Sequence, residues 1–253
     1  MPFISRLVCL PAALVIFAIP VVAAEAVTDY AGCVALVRQN PSLAEDRARA
    51  WQNLGGGAGA IHCSALALTA LKRYSEAARK LDALARDKSI ANNMDRSALF
   101  DQAGNAWLLA GLPNNAVQSF SAALAETPNV VDLLADRARA RAMLKDWNGA
   151  EADLGTALLG DQNRVDLLVL RASARHALGH KAEAATDLLR ALSLYPNYPA
   201  ALVERGAMKY EAGDTNGARA DWKKAAASAN GGEAAETAKR NLAALGPESK
   251  PVK

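Results

Sequence analysis

The sequence predicts an all-α solenoid of stacked helix pairs. Three features recur every 34 residues over more than half of the chain, in phase with one another. The first is a four-residue segment, found at Gly104–Trp107, Ala138–Arg141, Ala172–Arg175 and Gly206–Lys209. The others are a small residue and a large apolar residue, at Ala116, Ala150, Ala184 and Ala218 and at Phe120, Leu154, Leu188 and Trp222. Such phasing is typical of repeats that pack only on their neighbours, not of a single-core enzyme domain.

Composition favours closely packed helices and argues against a nucleic-acid partner. Apolar residues make up 51% of the chain but aromatic residues only 5%. Much of the apolar content is alanine, which favours helix formation and lets helices approach closely. The net charge is +3, and Lys and Arg are interleaved with Asp and Glu. Because a nucleic-acid surface needs a basic stripe with stacking aromatic residues, we expect no nucleic-acid partner.

Residues 1–24 are expected to form a cleaved signal peptide. Arg6 is the only early charge, an apolar stretch runs from Leu7 to Ala18, and small residues lead up to Ala24. Cleavage after Ala24 is preferred, with Ala26 as the alternative. An uncleaved anchor is the competing interpretation, but the apolar run is too short to span a membrane comfortably. We therefore expect an exported protein, periplasmic or otherwise, without a stable membrane span.

Residues 25–57 are expected to form an amino-terminal cap of two helices, separated at Asn40-Pro41. Removal of the signal leaves two cysteines, Cys33 and Cys63. An even pair in an exported chain suggests a disulfide, which would join the cap to the first repeat. Two buried free thiols are the alternative, and a reducing compartment would favour them.

Residues 97–130 show how one repeat is built. Two predicted helices are separated by a break at Gly111 to Pro113. The residues that characterise the repeat are Phe100, Ala103, Gly104, Trp107, Ala116, Phe120 and Pro128. They resemble the tetratricopeptide repeat, whose signature is W-x2-L-G-x2-Y, then A-x3-F, then P. The resemblance implies a right-handed α-solenoid in which the first helix of each pair lines the concave side.

The resemblance covers residues 58–232, or about five helix pairs. Later copies begin at positions 131, 165 and 199, and a looser copy near 58–91 has a few extra residues before the next repeat. The stretch with Trp51, Gly55–Gly57 and His62-Cys63 is similar to the entry segment of secreted bacterial tetratricopeptide proteins of unassigned role. These repeats are generic binding scaffolds, so the resemblance implies a fold rather than a particular partner.

The carboxyl end is expected to close the solenoid. Residues 233–245 form a predicted capping helix, because a terminal repeat would otherwise expose its apolar face. Its apolar stripe consists of Ala234, Ala238, Leu242 and Leu245. Gly246-Pro247 should end the helix, and residues 246–253 are expected to be a disordered tail.

Basic residues replace apolar ones in the three later repeats. Arginine stands in the usual leucine position, and a second basic residue in the usual aromatic position. The two sets are Arg137, Arg171 and Arg205, and Arg141, Arg175 and Lys209. An acid follows each first arginine sixteen residues later, at Asp153, Asp187 and Asp221. We expect one ion pair between the two helices of each of these three repeats, and a basic ladder that captures anions is the alternative.

No arrangement in the sequence predicts an enzyme, a cofactor or a metal site. Gly55–Gly57 lacks the Gly-Lys-Ser/Thr ending of a phosphate-binding loop. His62 and Cys63 are adjacent, so they point about 100° apart on a helix. His176 and His180 have the spacing of a zinc motif, but Gly179 is expected to end the helix between them. We therefore predict no catalytic residues.

A partner is expected to bind on the concave side, in a groove lined by the first helix of each pair. Three ladders at 34-residue steps are predicted to face it. They are Asp101, Ala135, Val169 and Val203; Asn105, Arg139, Ser173 and Ala207; and Leu108, Ala142, His176 and Tyr210, flanked by Met143. The residues predicted to bind the partner are Asp101, Asn105, Leu108, Arg139, Met143, Ser173, His176 and Tyr210. The surface would be polar toward its amino-terminal half and more apolar toward its carboxyl-terminal half, which suits an extended peptide or a helix.

Two functions are compatible with these features. The first is an exported adaptor that docks a protein or peptide in the cell envelope. The second is a structural subunit that assembles through its own repeats. The groove lacks the run of Lys and Asn that clamps a carboxyl terminus in chaperone-binding relatives, which argues against a cytosolic chaperone adaptor.

Overall fold

A computed structural model describes residues 29–87 and 96–246. These residues form thirteen α-helices and no strand. In order the helices are α1 Tyr30–Gln39, α2 Pro41–Asn53, α3 Gly57–Ala70, α4 Tyr74–Arg86, α5 Arg96–Leu109, α6 Pro113–Glu126, α7 Val131–Met143, α8 Trp147–Gly160, α9 Val165–Ala177, α10 Lys181–Leu194, α11 Pro199–Glu211, α12 Thr215–Ala226 and α13 Gly232–Leu245. The all-α prediction is confirmed. The predicted signal peptide, the segment 88–95 and residues 247–253 lie outside the described residues.

The helices form a linear stack. Each helix contacts the next one along the chain, and odd-numbered helices also contact each other, as in α5 with α7, α7 with α9 and α9 with α11. The odd-numbered helices therefore lie side by side and form one surface, which we call the groove face. At the two ends α1 contacts α3, and α13 contacts α11. The repeat therefore has the solenoid arrangement that the 34-residue period predicts.

A left-handed residue follows each of the helices α3, α5, α7, α9 and α11. Gly111, Gly179 and Gly213 occupy this position in three repeats, with φ of 71°, 82° and 86°. Lys72 and Lys145 occupy it in the others, both with φ of 61°. A side chain in this conformation costs about 1–2 kcal/mol, which glycine avoids. The predicted helix break between His176 and His180 is thereby confirmed at Gly179.

Close helix approach depends on glycine opposite an aromatic ring. A Cβ atom built on Gly104 would lie 2.5 Å from Cε1 of Phe120, and one on Gly206 would lie 2.5 Å from Nε1 of Trp222. Phe120 and Trp222 are both buried. The small residues therefore let the ring of the second helix rest against the backbone of the first, as the sequence predicts.

The three predicted ion pairs are present, and each has a further partner. Asp187 accepts hydrogen bonds from Nε and Nη2 of Arg171, at 2.9 and 2.7 Å, and from Nη1 of Arg175 at 2.8 Å. The other two repeats contain the same arrangement. Its members there are Arg137, Asp153 and Arg141, and Arg205, Asp221 and Lys209. The basic residues thus bind internal carboxylates, which removes the main support for an anion-binding ladder.

Two earlier helices supply carboxylates that the sequence pattern does not reveal. Glu45 of α2 accepts a hydrogen bond from Ser64 at 2.5 Å. Asp82 of α4 accepts one from Nε1 of Trp107 and one from Oγ of Ser119, each at 2.8 Å. Both carboxylates are buried. In these repeats the buried acid belongs to the preceding helix pair. In the three later repeats the acid and its basic partners belong to the same helix pair.

The amino-terminal helices are joined to the stack through α3. The sulfur atoms of Cys33 and Cys63 lie at bonding distance, with their Cα atoms 6.2 Å apart, and both residues are fully buried. Gly55, in the turn between α2 and α3, and Gly57, the first residue of α3, both have positive φ. His62 is buried, stacks on Tyr30, and binds the hydroxyl of Tyr30 at 2.7 Å and the side-chain oxygen of Gln102 at 2.8 Å. These contacts account for the Gly-rich turn and the histidine structurally.

Helix α13 packs on α12 and α11. Ala235 and Ala238 are buried, whereas Ala234, Leu242 and Leu245 are half-buried against the core. The predicted stripe therefore contacts the core but omits Ala235. In residues 29–87 and 96–246 no helix combines the length and the apolarity needed to cross a membrane.

Candidate partner-binding groove

The groove face carries the eight residues predicted to bind a partner, and their exposure varies widely. Asn105, Met143 and Tyr210 are exposed, Met143 by 56% and Tyr210 by 52%. The remaining five are half-buried: Asp101, Leu108, Arg139, Ser173 and His176. The prediction that the first ladder forms an accessible row on the groove is wrong. Its members Ala135, Val169 and Val203 are buried, because the odd-numbered helices lie close together. Asp101 is the most accessible member of that ladder, whereas Val169 and Val203 contribute only to the wall of a pocket described below.

A carboxylate pairs with an amide at the amino-terminal end of the predicted site. Nδ2 of Asn105 donates hydrogen bonds to the main-chain oxygen and to Oδ1 of Asp101, the latter at 3.0 Å. Burial raises the pKa of Asp101 to about 6, and the nearby charges of Asp136 and Asp132 add to the effect. The Asn105 hydrogen bond opposes the rise only in part. Asp101 is therefore an ionisable group that titrates near neutral pH.

Charged residues at the centre of the groove face are linked to one another. Arg139 contacts Asp136 and lies 3.7 Å from Asp166. Arg164 binds both Asp166 and Asp132 at 2.9 Å. The hydrogen bond from Arg164 lowers the pKa of Asp166. Arg139 therefore belongs to an ion-pair network and is less available to an acidic partner than the sequence suggests.

Exposed apolar side chains also lie on the helices α5 and α7 of the groove face. Met143 ends α7, and Leu109 stands at the same position of α5, one repeat earlier. Leu109 is 59% exposed. Sequence analysis missed Leu109, although its 34-residue relation to Met143 could have identified it. Together they give this part of the groove face an apolar edge.

The carboxyl-terminal part of the groove face contains two pockets beside α13. One, of about 460 Å³, lies between α9, α11 and α13 and includes Ser173 and Glu204. The other, of about 240 Å³, includes Tyr210 and Trp222, whose rings are 5.9 Å apart. Helix α13 lines both pockets, which the sequence could not indicate.

His176 is part of a charged contact at this end. Its Nε2 lies 3.0 Å from Oε2 of Glu211, and Nζ of Lys181 lies 3.1 Å from the same oxygen. The hydrogen bond from His176 lowers the pKa of Glu211. His180 lies instead beside Glu151, 3.4 Å away. The two histidines thus contact different acids, and the described residues contain no group of His, Cys, Asp and Glu suited to hold a metal ion.

Comparisons with known proteins identify the fold. No protein-family model matches the chain, and no curated protein matches it by sequence. A structure titled "MamA 41-end from Desulfovibrio magneticus RS-1" is similar with 18% identity and a TM-score of 0.59, over 66% of this chain and 92% of that one. "Crystal structure of MamA" is similar with 16% identity and a TM-score of 0.55, over 71% and 96%. At these identities the likeness concerns the fold alone.

A third structure, "Arabidopsis OM64 TPR domain", has 29% identity and a TM-score of 0.44, over 46% of this chain and 95% of that chain. The 34-residue repeat, the paired helices and the small residues beneath aromatic rings carry the assignment instead. The chain therefore has the all-α solenoid fold of the tetratricopeptide-repeat type.

Proposed function

We propose that this protein is a binding scaffold that holds a protein or peptide segment on its groove face. The observation that carries the proposal is the combination of exposed apolar residues and pockets on the surface formed by the odd-numbered helices. Leu109, Met143 and Tyr210 are each more than half exposed there. An extended peptide or an amphipathic helix can contact several repeats of such a surface at once. We also propose that α1–α2 and α13 cap the stack.

We propose further that the scaffold acts after export, in the cell envelope. The support is the predicted signal peptide together with Cys33 and Cys63, whose sulfur atoms lie at bonding distance. A disulfide persists in an oxidising compartment and is rare in the cytosol. Peptide mapping of exported protein without reductant should recover the two cysteines as one linked pair. Recovery of both as free thiols would contradict this part of the proposal.

The binding proposal can be tested with purified residues 25–253 as bait in an envelope extract. A groove variant carries Asn105→Ala, Met143→Ala and Tyr210→Ala, which alter three exposed side chains. A control variant carries Thr156→Ala and Lys224→Ala on the even-numbered helices, where both residues are exposed. Candidates should then be purified and titrated against each bait.

We expect a direct partner whose affinity falls about tenfold or more for the groove variant, because central apolar contacts dominate binding. The control variant should keep the parent affinity, and all three proteins should melt alike. Equal loss in both variants would refute the groove as the binding surface. Binding that none of the substitutions alters would refute it as well.

Self-assembly is the second candidate. Leu159 and Leu189 are 79% and 63% exposed on α8 and α10, away from the groove face. Exposed large apolar side chains can mark interfaces between copies. Sedimentation over a range of concentrations tests the idea. A mass that rises with concentration and falls to the monomer in a Leu159→Ser, Leu189→Ser variant would favour assembly over the adaptor, and a monomer throughout would exclude it.

A further inference from the structure

The pocket between α9, α11 and α13 combines apolar walls with an acid at one side. Val169, Leu170, Val203 and Ala234 supply the apolar surface. The polar residues that line it are Ser173, Glu204, Glu233 and Thr237. Lys, Arg and His are absent from the lining of this pocket, so its two ionisable groups are both carboxylic acids.

Glu204 is half-buried, whereas Glu233 is exposed. Burial raises the pKa of Glu204, whereas a hydrogen bond from Ser173 and the charge of His176 lower it in part. Within the described residues Glu204 forms no ion pair with Lys or Arg. Desolvating a carboxylate without a cationic partner is costly. The position therefore gains from any ligand that supplies a positive charge.

Comparison between repeats shows why Glu204 lacks such a partner. Asp136 stands at the equivalent position two repeats earlier, and Arg139, three residues further on, contacts it. Two repeats after Arg139 the chain has Ala207. The repeat that contains Glu204 thus keeps the acid but loses the arginine.

The amino end of α13 contributes a partial charge of the opposite sign. Gly231 and Glu233 at this end line the pocket, and a helix amino terminus carries roughly half a positive charge. Glu233 offsets that charge, because it lies in the first turn of the helix. The carboxylate of Glu204 then leaves the pocket with a net preference for a cation.

We propose that this pocket receives a lysine or arginine side chain of the segment bound on the groove face. The aliphatic stem would contact Val169, Leu170, Val203 and Ala234, and the cationic end would pair with Glu204. A basic side chain fits because it joins a flexible apolar stem to a charged head. The inference rests on the proposed function and makes the partner a basic peptide, not an acidic one.

Three synthetic probes test the inference on the full mature chain. They share the sequence acetyl-Ala-Ala-X-Ala-Ala-amide, with lysine, norleucine or glutamate at X. Norleucine keeps an apolar stem and lacks the ammonium group. Binding is followed through amide chemical shifts in two-dimensional NMR, which also report where each probe binds.

The lysine probe should shift resonances of α9, α11 and α13 and bind roughly tenfold or more tightly than the norleucine probe, because a charged hydrogen bond distinguishes them. Glu204→Gln should reduce lysine binding to the norleucine level. Ala234→Leu, which fills the pocket without altering charge, should weaken both probes. Glu183→Gln on α10 is the control and should change neither, with folding checked by thermal melting.

Several results would overturn the inference. The first is equal affinity for the lysine and norleucine probes, and the second is binding of the lysine probe that survives Glu204→Gln. The third is a set of amide chemical-shift changes confined to the acids around Asp101. Failure here is distinguishable from failure of the proposed function. A partner that loses affinity for the groove variant but binds Glu204→Gln normally would refute the basic-residue pocket and leave the scaffold function standing.

Discussion

Removing the carboxylate of Asp187 should destabilise the protein far more than breaking an exposed ion pair. Asp187 accepts three hydrogen bonds from Arg171 and Arg175, and its side chain is only 5% exposed. The two arginine side chains are 19% and 20% exposed. Loss of one member of a buried pair typically costs about 3–5 kcal/mol, because the other charge stays buried without compensation.

The expected cost for Asp187→Ala lies near the lower end of that range, about 3 kcal/mol. The arginines retain some solvent contact, and Arg175 also binds Glu151 at 2.8 Å. For the specific pair we expect a coupling of about 2 kcal/mol between Arg171 and Asp187. The coupling is smaller than the single-variant cost because Arg175 still compensates Asp187 when Arg171 is absent.

A double-mutant cycle measures this coupling directly. Arg171→Met keeps part of the apolar stem, and Asp187→Ala removes the carboxylate; the double variant closes the cycle. Urea unfolding followed by far-ultraviolet circular dichroism gives the free energy of unfolding for each protein. The matched control is the cycle on Arg73 and Glu76, whose side chains are 46% and 44% exposed.

The control pair should show far weaker coupling than the buried pair, since exposed ion pairs contribute little. If the Arg171–Asp187 coupling is as small as that of the control, the reasoning is refuted. Desolvation would then cancel the attraction, and the repeated acid would be without a stabilising role.

Three further predictions concern local stability, all measured by urea unfolding. Gly104→Ala should cost about 1–3 kcal/mol because its Cβ would meet the ring of Phe120, whereas Gly155→Ala, with no atom within 4 Å, should gain up to about 1 kcal/mol; similar effects at both sites would contradict this. Asp101→Asn should stabilise the protein by about 1 kcal/mol near pH 8, after discounting for solvent. Because the folded pKa of about 6 exceeds the unfolded value of 3.8, this gain should vanish below about pH 4, and a gain independent of pH would count against it. Lys145→Gly should stabilise by about 0.5 kcal/mol by relieving a φ of 61°, and no gain would argue against strain there.

The polar contacts show how far sequence reasoning reaches. Arg171 and Asp187 could be paired from the sequence because both recur at one spacing in three repeats. Glu45 and Asp82 could not, since each acts in one place and bonds a residue of the following helix pair. A contact that occurs once leaves no periodic trace in a single sequence.

The groove residues also divide into a part that could be predicted from the sequence and a part that could not. The 34-residue period identifies which residues share a repeat position, and the exposed side chains of Asn105, Met143 and Tyr210 lie on the predicted face. The period does not reveal how closely successive odd-numbered helices pack. In the structure they lie so close together that Ala135 is buried.

The sequence by itself determined the fold class, the helix breaks and the repeated ion pairs, because each arises from spacing within one repeat or between identical neighbours. Only the tertiary structure decided which groove residues are accessible and that α13 forms pockets beside Glu204 and Tyr210. The physical reason is that accessibility and pocket shape depend on how helices from different repeats lie against one another. Those distances follow from the packing of many side chains together, not from the period of any one position.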